Sequence, residues 1–202
     1  MINLTDLEKK RIEDFDALVK KYSNRITSEL KEWLIENGFF AAPASTKYHG
    51  AYEGGLYDHS RGVTLRLVEL TENNKLQWQK EDSPFIVGMF HDLCKIDQYV
   101  KAPGIKSDNP AFGIVQYDAG FHYEYNTKTV LKGHGTKSIM LLSQFMALTE
   151  EEVLCIRYHM GAYGNEEEQK VEWACLDEAI KKYSNVLFTH AADMLASKID
   201  NT

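Results

Sequence analysis

Phe85-Ile86-Val87-Gly88-Met89-Phe90-His91-Asp92-Leu93-Cys94-Lys95 is an apolar run with an imidazole and a carboxylate side by side within it. Burying that pair on a hydrophobic helix costs several kcal/mol unless something offsets it. A metal ion does so directly, taking the carboxylate as an anion and the imidazole as a neutral donor. Metal chemistry is therefore the first expectation. Ser83-Pro84 just upstream is a helix-start signal, an N-cap followed by proline at the first helical position. The stretch thus reads as a helix bearing His91 and Asp92, whose side chains leave it about 100° apart.

Outward from this segment the periodicity is helical. Residues 5–22 and 25–37 read as amphipathic helices. One has the stripe Ile12, Phe15, Leu18 and Val19, the other Ile26, Leu30, Trp33 and Leu34, with Gly38 as its stop. Residues 39–56, with Pro43, Gly50, Gly54 and Gly55, read as a loop leading into a helix near Leu56 that runs to about Glu72 and holds His59 in its first turn. Further helices are expected at 134–147, at 149–160 with a Thr149/Glu152 capping box, and at 171–183 and 185–199. The stretch 98–132 breaks the pattern, and Phe121–Lys132 suggests a short hairpin turning at Asn126-Thr127. Residues 161–170, rich in glycine and glutamate, read as exposed. The fold class is all-α, a multi-helix bundle with a small irregular or β-hairpin insertion, and 1–202 reads as one domain.

Composition narrows the function. The 202 residues carry a net charge of −7, which argues against a broad surface for long nucleic acid. The N-terminus lacks a signal-peptide pattern, and no apolar stretch is long enough to span a bilayer, so a cytoplasmic location is the default expectation. Three cysteines, Cys94, Cys155 and Cys175, lie within apolar patterns and read as reduced core thiols.

His59, His91, Asp92, His134, His159, His190 and Asp193 are the residues with the chemistry to meet around a cation, and bundle helices are a known source of such converging ligands. A histidine, a His-Asp doublet and a distant aspartate, here His59, His91-Asp92 and Asp193, resemble the signature of the HD-domain superfamily of metal-dependent phosphohydrolases. The resemblance covers roughly 47–199, leaving 1–38 as additional N-terminal helices. Its context includes Tyr48-His49-Gly50-Ala51-Tyr52-Glu53-Gly54-Gly55-Leu56-Tyr57-Asp58-His59-Ser60, the lysine of His91-Asp92-Leu93-Cys94-Lys95, and His190-Ala191-Ala192-Asp193. Gly133-His134-Gly135-Thr136-Lys137-Ser138 and Arg157-Tyr158-His159-Met160-Gly161 resemble the extra ligand segments of dinuclear members. The resemblance implies one metal on His59, His91, Asp92 and Asp193, and a second on Asp92, His134 and His159, with Asp92 bridging. Imidazole-rich ligand sets favour Mn, Fe, Co, Ni or Zn over Mg. His134 and His159 could instead surround a mononuclear site, contacting phosphate or holding ligands in place.

The implied activity is hydrolysis of a phosphoester or phosphoanhydride bond in a small phosphorylated substrate, foremost a nucleotide. Asp92, Lys95 and Asp193 would be catalytic; Lys95, His49, Lys137 and His190 would contact substrate. Lys95 could equally be a surface lysine paired with Asp97 or Glu53. His190 is expected to orient Asp193 or a ligand imidazole, Arg61 to lie on a solvated face, and His122 to be structural or exposed. Tyr117, Phe121, Tyr123 and Tyr125 either wall a base pocket or pack the hairpin onto the core. The Gly-Tyr-Pro element and paired histidine of cyclic-dinucleotide phosphodiesterases are missing, which disfavours that substrate. The alternatives are a phosphodiesterase or 3′–5′ exonuclease on short oligonucleotides, and a non-catalytic nucleotide or metal sensor on the same fold. Self-association is compatible with all of them.

Overall fold

Three helices begin at a threonine whose side chain caps them, Thr5, Thr27 and Thr149, and the helix ends decide where the chemistry sits. A computed structural model of the chain describes residues 3–103, 120–131, 133–162 and 166–200, with side chains from 169 onward in the last segment. Among these residues there are eight α-helices: α1 (Asp6–Tyr22), α2 (Ser28–Glu36), α3 (Gly55–Asn74), α4 (Ser83–Phe90), α5 (His134–Leu142), α6 (Glu150–Tyr158), α7 (Glu166–Lys182) and α8 (Asn185–Leu195). A 3-10 turn, Leu93–Asp97, follows α4, and a π-turn, Ala196–Asp200, follows α8. A two-stranded antiparallel sheet pairs β1 (Tyr99–Pro103) with β2 (Phe121–Tyr125). This is an all-α bundle with a small β insertion, as expected.

Thr5 and Glu8 form a reciprocal capping box on α1, and Thr149 and Glu152 form one on α6. Gly38, at φ 77°, follows the Asn37 cap that ends α2. The start of α4 differs from expectation. Asp82 is its N-cap, while Ser83 begins the helix and donates its hydroxyl to Glu152 Oε1 at 2.8 Å.

Larger departures lie downstream. The helix expected to bear His91 and Asp92 ends at Phe90, so His91 is its C-cap and Asp92 opens the 3-10 turn. Among the described residues the hairpin expected within 121–132 is absent; β2 pairs upstream with β1, from Tyr99↔Tyr125 to Pro103↔Phe121. Asn126 explains the choice. Its amide N–H donates to Gln98 O at 2.9 Å and its side chain to Asp97 O at 2.8 Å, closing the ladder at the Tyr99 end. Helix α5 stops at Leu142, where Phe145 and Met146 turn back to donate to the Leu142 carbonyl. Helix α7 begins at Glu166, inside the stretch read as exposed loop. Tyr117 lies outside the described residues.

Helix α3 packs against α4 and α8, α6 against α8, and α5 against α6 and the 3-10 turn. Phe15, Phe39, Phe40, Tyr57, Phe85 and Phe90 fill the interior, Phe15 meeting Phe40 edge-on at 5.6 Å between ring centres. Helix α1 is tied to α3 by a bidentate Arg11–Asp58 pair, both contacts at 2.9 Å, and by Tyr57 donating to Asp14 at 2.6 Å. Arg61 reaches Asp14 from the half-exposed face, the solvated position expected of it. Cys94 and Cys155 are buried, but Cys175 is exposed on α7, contrary to its reading as a core thiol. No described helix is long and apolar enough to cross a membrane.

Gly88 sets the spacing between α3 and α4. A Cβ there would lie 2.6 Å from Thr64 Cα, a contact that backbone movement alone can relieve. His91 follows one turn later, facing His59 across the same interface. Gly88→Ala is expected to cost about 1–3 kcal/mol through overpacking, read from urea unfolding, and to weaken metal uptake along with it. A fully stable, metal-replete variant would show that the close approach does not position the histidines.

Candidate metal centre

Four structural segments bring the polar residues together: α3 supplies His59, the α4–3-10 junction His91 and Asp92, the end of α6 His159, and α8 Asp193. His134, first residue of α5, approaches from the side. The end of α4 at Phe90 matters here. His91 stays helical at φ −56° and ψ −36°, but Asp92 leaves the helical path at φ −104° and ψ 16°, and both side chains enter one cluster instead of diverging.

His91 Nδ1 lies 2.8 Å from Gly88 O, and His159 Nδ1 lies 2.8 Å from Ile156 O. A carbonyl only accepts, so each Nδ1 carries the proton and each Nε2 presents a lone pair to the interior. His91 Nε2 is 3.3 Å from His59 Nε2 and 3.4 Å from Asp92 Oδ2, while His59 Nε2 is 3.5 Å from Asp92 Oδ2 and 3.2 Å from Asp193 Oδ1. Asp92 Oδ1 faces the other way, toward His134 Nε2 at 3.1 Å and His159 Nε2 at 3.4 Å. The two oxygens of one carboxylate thus address two sets of imidazoles.

These residues could hold a metal ion. Asp92 Oδ1 and His159 Nε2 are buried without a well-directed hydrogen-bond partner, though they face each other. Two acceptors so placed repel unless a cation or proton lies between them. Three sets of ligand atoms lie within 4.8 Å of one another: His59, His91 and Asp193; His91, Asp92 and His159; and Asp92, Cys94 and His134. His134 therefore groups with Cys94, a residue read from sequence only as a core thiol.

The electrostatics carry the same imprint. Burial pushes the Asp92 carboxyl up, but the Lys95 ammonium and the imidazoles of His91 and His134 outweigh it and hold it well below the usual carboxylate range. Asp193 is likewise driven down against burial, chiefly by His59. Burial lowers His59, yet Asp193 and Asp92 raise it to about 9; His134 rises to about 10 against burial through Asp92. Without a cation the two carboxylates therefore draw protons onto these imidazoles. His159 is pulled down by burial, so it is a neutral donor.

Lys95 is 8% exposed and pairs with Asp92 Oδ2 at 2.6 Å, so neither expected surface partner holds it. Glu53 pairs with Lys101, and Asp97 with Lys137. A cavity of about 360 Å³ opens beside the cluster, lined by His49, Lys95, His134, Arg157 and His159 among others. Burial, aided by the charges of His59 and Lys95, lowers His49 to about 4, leaving a neutral imidazole at the wall. A second cavity of about 450 Å³ shares Gln98, Tyr125 and His134 with the first and includes Lys137.

His190 does not orient Asp193 or a ligand ring as expected; its Nδ1 meets the backbone carbonyl of His159 at 2.6 Å. Its hold on the cluster is through the His159 main chain. His122 lies 3.7 Å from the Glu124 carboxylate, away from the metal-binding groups. Of the aromatic group, Tyr125 lines both cavities, whereas Tyr123 is buried edge-on against Phe121. Sequence reasoning missed Gln98 and Tyr99 and gave no role to Arg157, all of which share the first cavity with the histidines. Arg157, two residues before His159, was the one with a positional signal.

Comparison of the chain with models of protein families, with curated proteins and with solved structures gives no match. The fold and the site define a helical protein with a buried His/Asp cluster able to hold a metal ion.

Proposed function

We propose that this chain is an HD-type metal-dependent phosphohydrolase acting on a small phosphorylated molecule, foremost a nucleotide. The observation that carries the reading is the division of the Asp92 carboxylate, Oδ2 toward His59 and His91 and Oδ1 toward His134 and His159. Asp193 completes the first set. Divalent cations held there would acidify a bound water and offset charge on phosphoryl oxygens. Imidazole-rich donors favour Mn, Fe, Co, Ni or Zn.

The remaining work falls to residues of the chain. Lys95, paired with Asp92, and Arg157, paired with Glu172, bring cationic groups to the lining of the first cavity, and neutral His49 adds a hydrogen-bond donor at the same wall. Together they bind a phosphate group and stabilise the charge that develops on it. Asp193, with 15% of its side chain exposed against 3% for Asp92, is the carboxylate placed to pass a proton to solvent. Lys137, paired with Asp97, lines the second cavity, where the rest of the substrate would lie. Cavities of about 360 and 450 Å³ suit a small ligand. With a net charge of −7, they favour it over an extended oligonucleotide.

The test is phosphate release from nucleoside mono-, di- and triphosphates, sugar phosphates and dinucleotides by protein loaded with Mn²⁺. Chelator-sensitive release is expected. Tight binding of these compounds with no release from any of them would favour the sensor reading. Lys95→Ala is expected to keep its metal content and lose about 100-fold in kcat/KM, the scale of one directed charge contact in the transition state. Unchanged kinetics would remove Lys95 from the substrate site.

A further inference from the structure

We infer that Cys94 is a positioning residue of the metal centre, and that its sulfur holds the His134 ring in the tautomer that presents Nε2 to a cation. This rests on the metal-binding reading above, but on a contact which that reading does not use. His91 and His159 each fix their tautomer by donating Nδ1–H to the carbonyl three residues earlier. His134, the first residue of its helix, has no preceding turn to supply one. Its Nδ1 lies 3.6 Å from Cys94 Sγ instead.

The direction of that contact follows from the groups beyond it. Cys94 Sγ is 3.8 Å from Gln98 Oε1, an acceptor that takes the thiol proton, and Gln98 Nε2 donates to Tyr99 OH at 3.0 Å. With its proton committed to Gln98, the sulfur accepts the Nδ1–H of His134, leaving Nε2 as the lone-pair atom. Nε2 sits 3.1 Å from Asp92 Oδ1, the buried oxygen without a well-directed partner. That orphaned atom points independently to a ligand at this spot.

The surrounding bonds lock the arrangement. Cys94 N–H donates to Ser138 Oγ at 3.0 Å, and Ser138 Oγ donates to His134 O at 3.3 Å. The 3-10 turn and α5 are thereby joined at both the backbone and the ring of His134. Gly135 allows the approach of α5 to α6, since a Cβ there would stand 2.4 Å from Ile156 O. Cys94 is fully buried, and Ser138 and Gly135 are buried with it.

The experiment is titration of metal-free protein with Co²⁺, followed by calorimetry and visible absorption, for the wild type, Cys94→Ser and Cys94→Ala. The wild type is expected to bind two equivalents without a sulfur-to-cobalt charge-transfer band. Cys94→Ala should weaken the second equivalent about 10–100-fold, the usual cost of losing a ligand-orienting partner, and shift the cobalt ligand-field bands. Cys94→Ser, which keeps an acceptor, should restore most of that affinity. Thermal melts of the three metal-free proteins separate this from loss of fold, and retained affinity in Cys94→Ser is a readout that simple repacking does not produce. Equal titrations for wild type and Cys94→Ala, or one equivalent only in the wild type, overturn the inference. So does a charge-transfer band lost in Cys94→Ser, which would make the sulfur itself a ligand. Wild-type protein that binds no Co²⁺ would instead overturn the metal reading on which the inference stands.

Discussion

Asp92→Ala should strip both halves of the cluster at once, with metal content falling to background and kcat/KM dropping by at least about 1,000-fold, roughly 4 kcal/mol of transition-state stabilisation. The size follows from geometry. Among the described residues Asp92 is the one carboxylate that faces both His59 and His91 through Oδ2 and His134 and His159 through Oδ1. The substitution also leaves the buried Lys95 ammonium without its 2.6 Å partner. For that reason Asp92→Asn is the companion variant, keeping shape and an oxygen while removing the charge. Elemental analysis of the purified proteins and phosphate release under Mn²⁺ are the measurements. Turnover that survives both substitutions would end the proposal of a shared bridging carboxylate.

The second large effect is on stability. Arg25 lies between α1 and α2 and pairs with two carboxylates, Asp82 at 2.9 Å and Glu152, whose side chain has no exposed surface. Glu152 also accepts from Ser83 Oγ at 2.8 Å and from the Thr149 amide at 2.8 Å, so one buried group joins the starts of α4 and α6 to the N-terminal helices. Arg25→Ala leaves buried Glu152 and half-buried Asp82 without their cation and is expected to cost about 3–5 kcal/mol in urea unfolding.

The pH dependence of that cost has a definite sign. Burial pushes Glu152 and Asp82 up, but Arg25 and the hydrogen bonds hold both below their ordinary values of 4.5 and 3.8. A depressed carboxylate contributes its full stability above the unfolded value and loses it as pH falls through the folded one. The gap between wild type and Arg25→Ala should therefore be widest above about pH 4.5 and narrow as the solution is acidified. A gap that stays constant from neutral pH to acid would mean that Arg25 contributes through packing and not through charge.

Much of the frame was legible in the residues. Thr149/Glu152 caps its helix because a hydroxyl and a carboxylate three apart satisfy end amides locally, without help from the rest of the chain. Apolar spacing placed Phe15, Leu18, Leu30 and Leu34 in the core for a similar reason, since a helix has one period and one buried stripe. Strand pairing was not legible. Tyr99–Pro103 shows no strong alternation, and its partner was chosen by Asn126 bonding back to Asp97 and Gln98, a contact between residues far apart in sequence.

The sequence by itself determined which groups this protein commits to its interior: histidines and aspartates set in apolar helices, whose burial demands a compensating charge whatever the exact fold. Only the tertiary structure decided how they meet. The break after Phe90, the Gly88 crossing, the turn of each Asp92 oxygen toward its own imidazoles and the sulfur beside His134 all arise from contacts between separate helices. Local patterns encode local hydrogen bonds and burial; convergence on a point depends on how helices pack, and no single stretch of the chain carries that information.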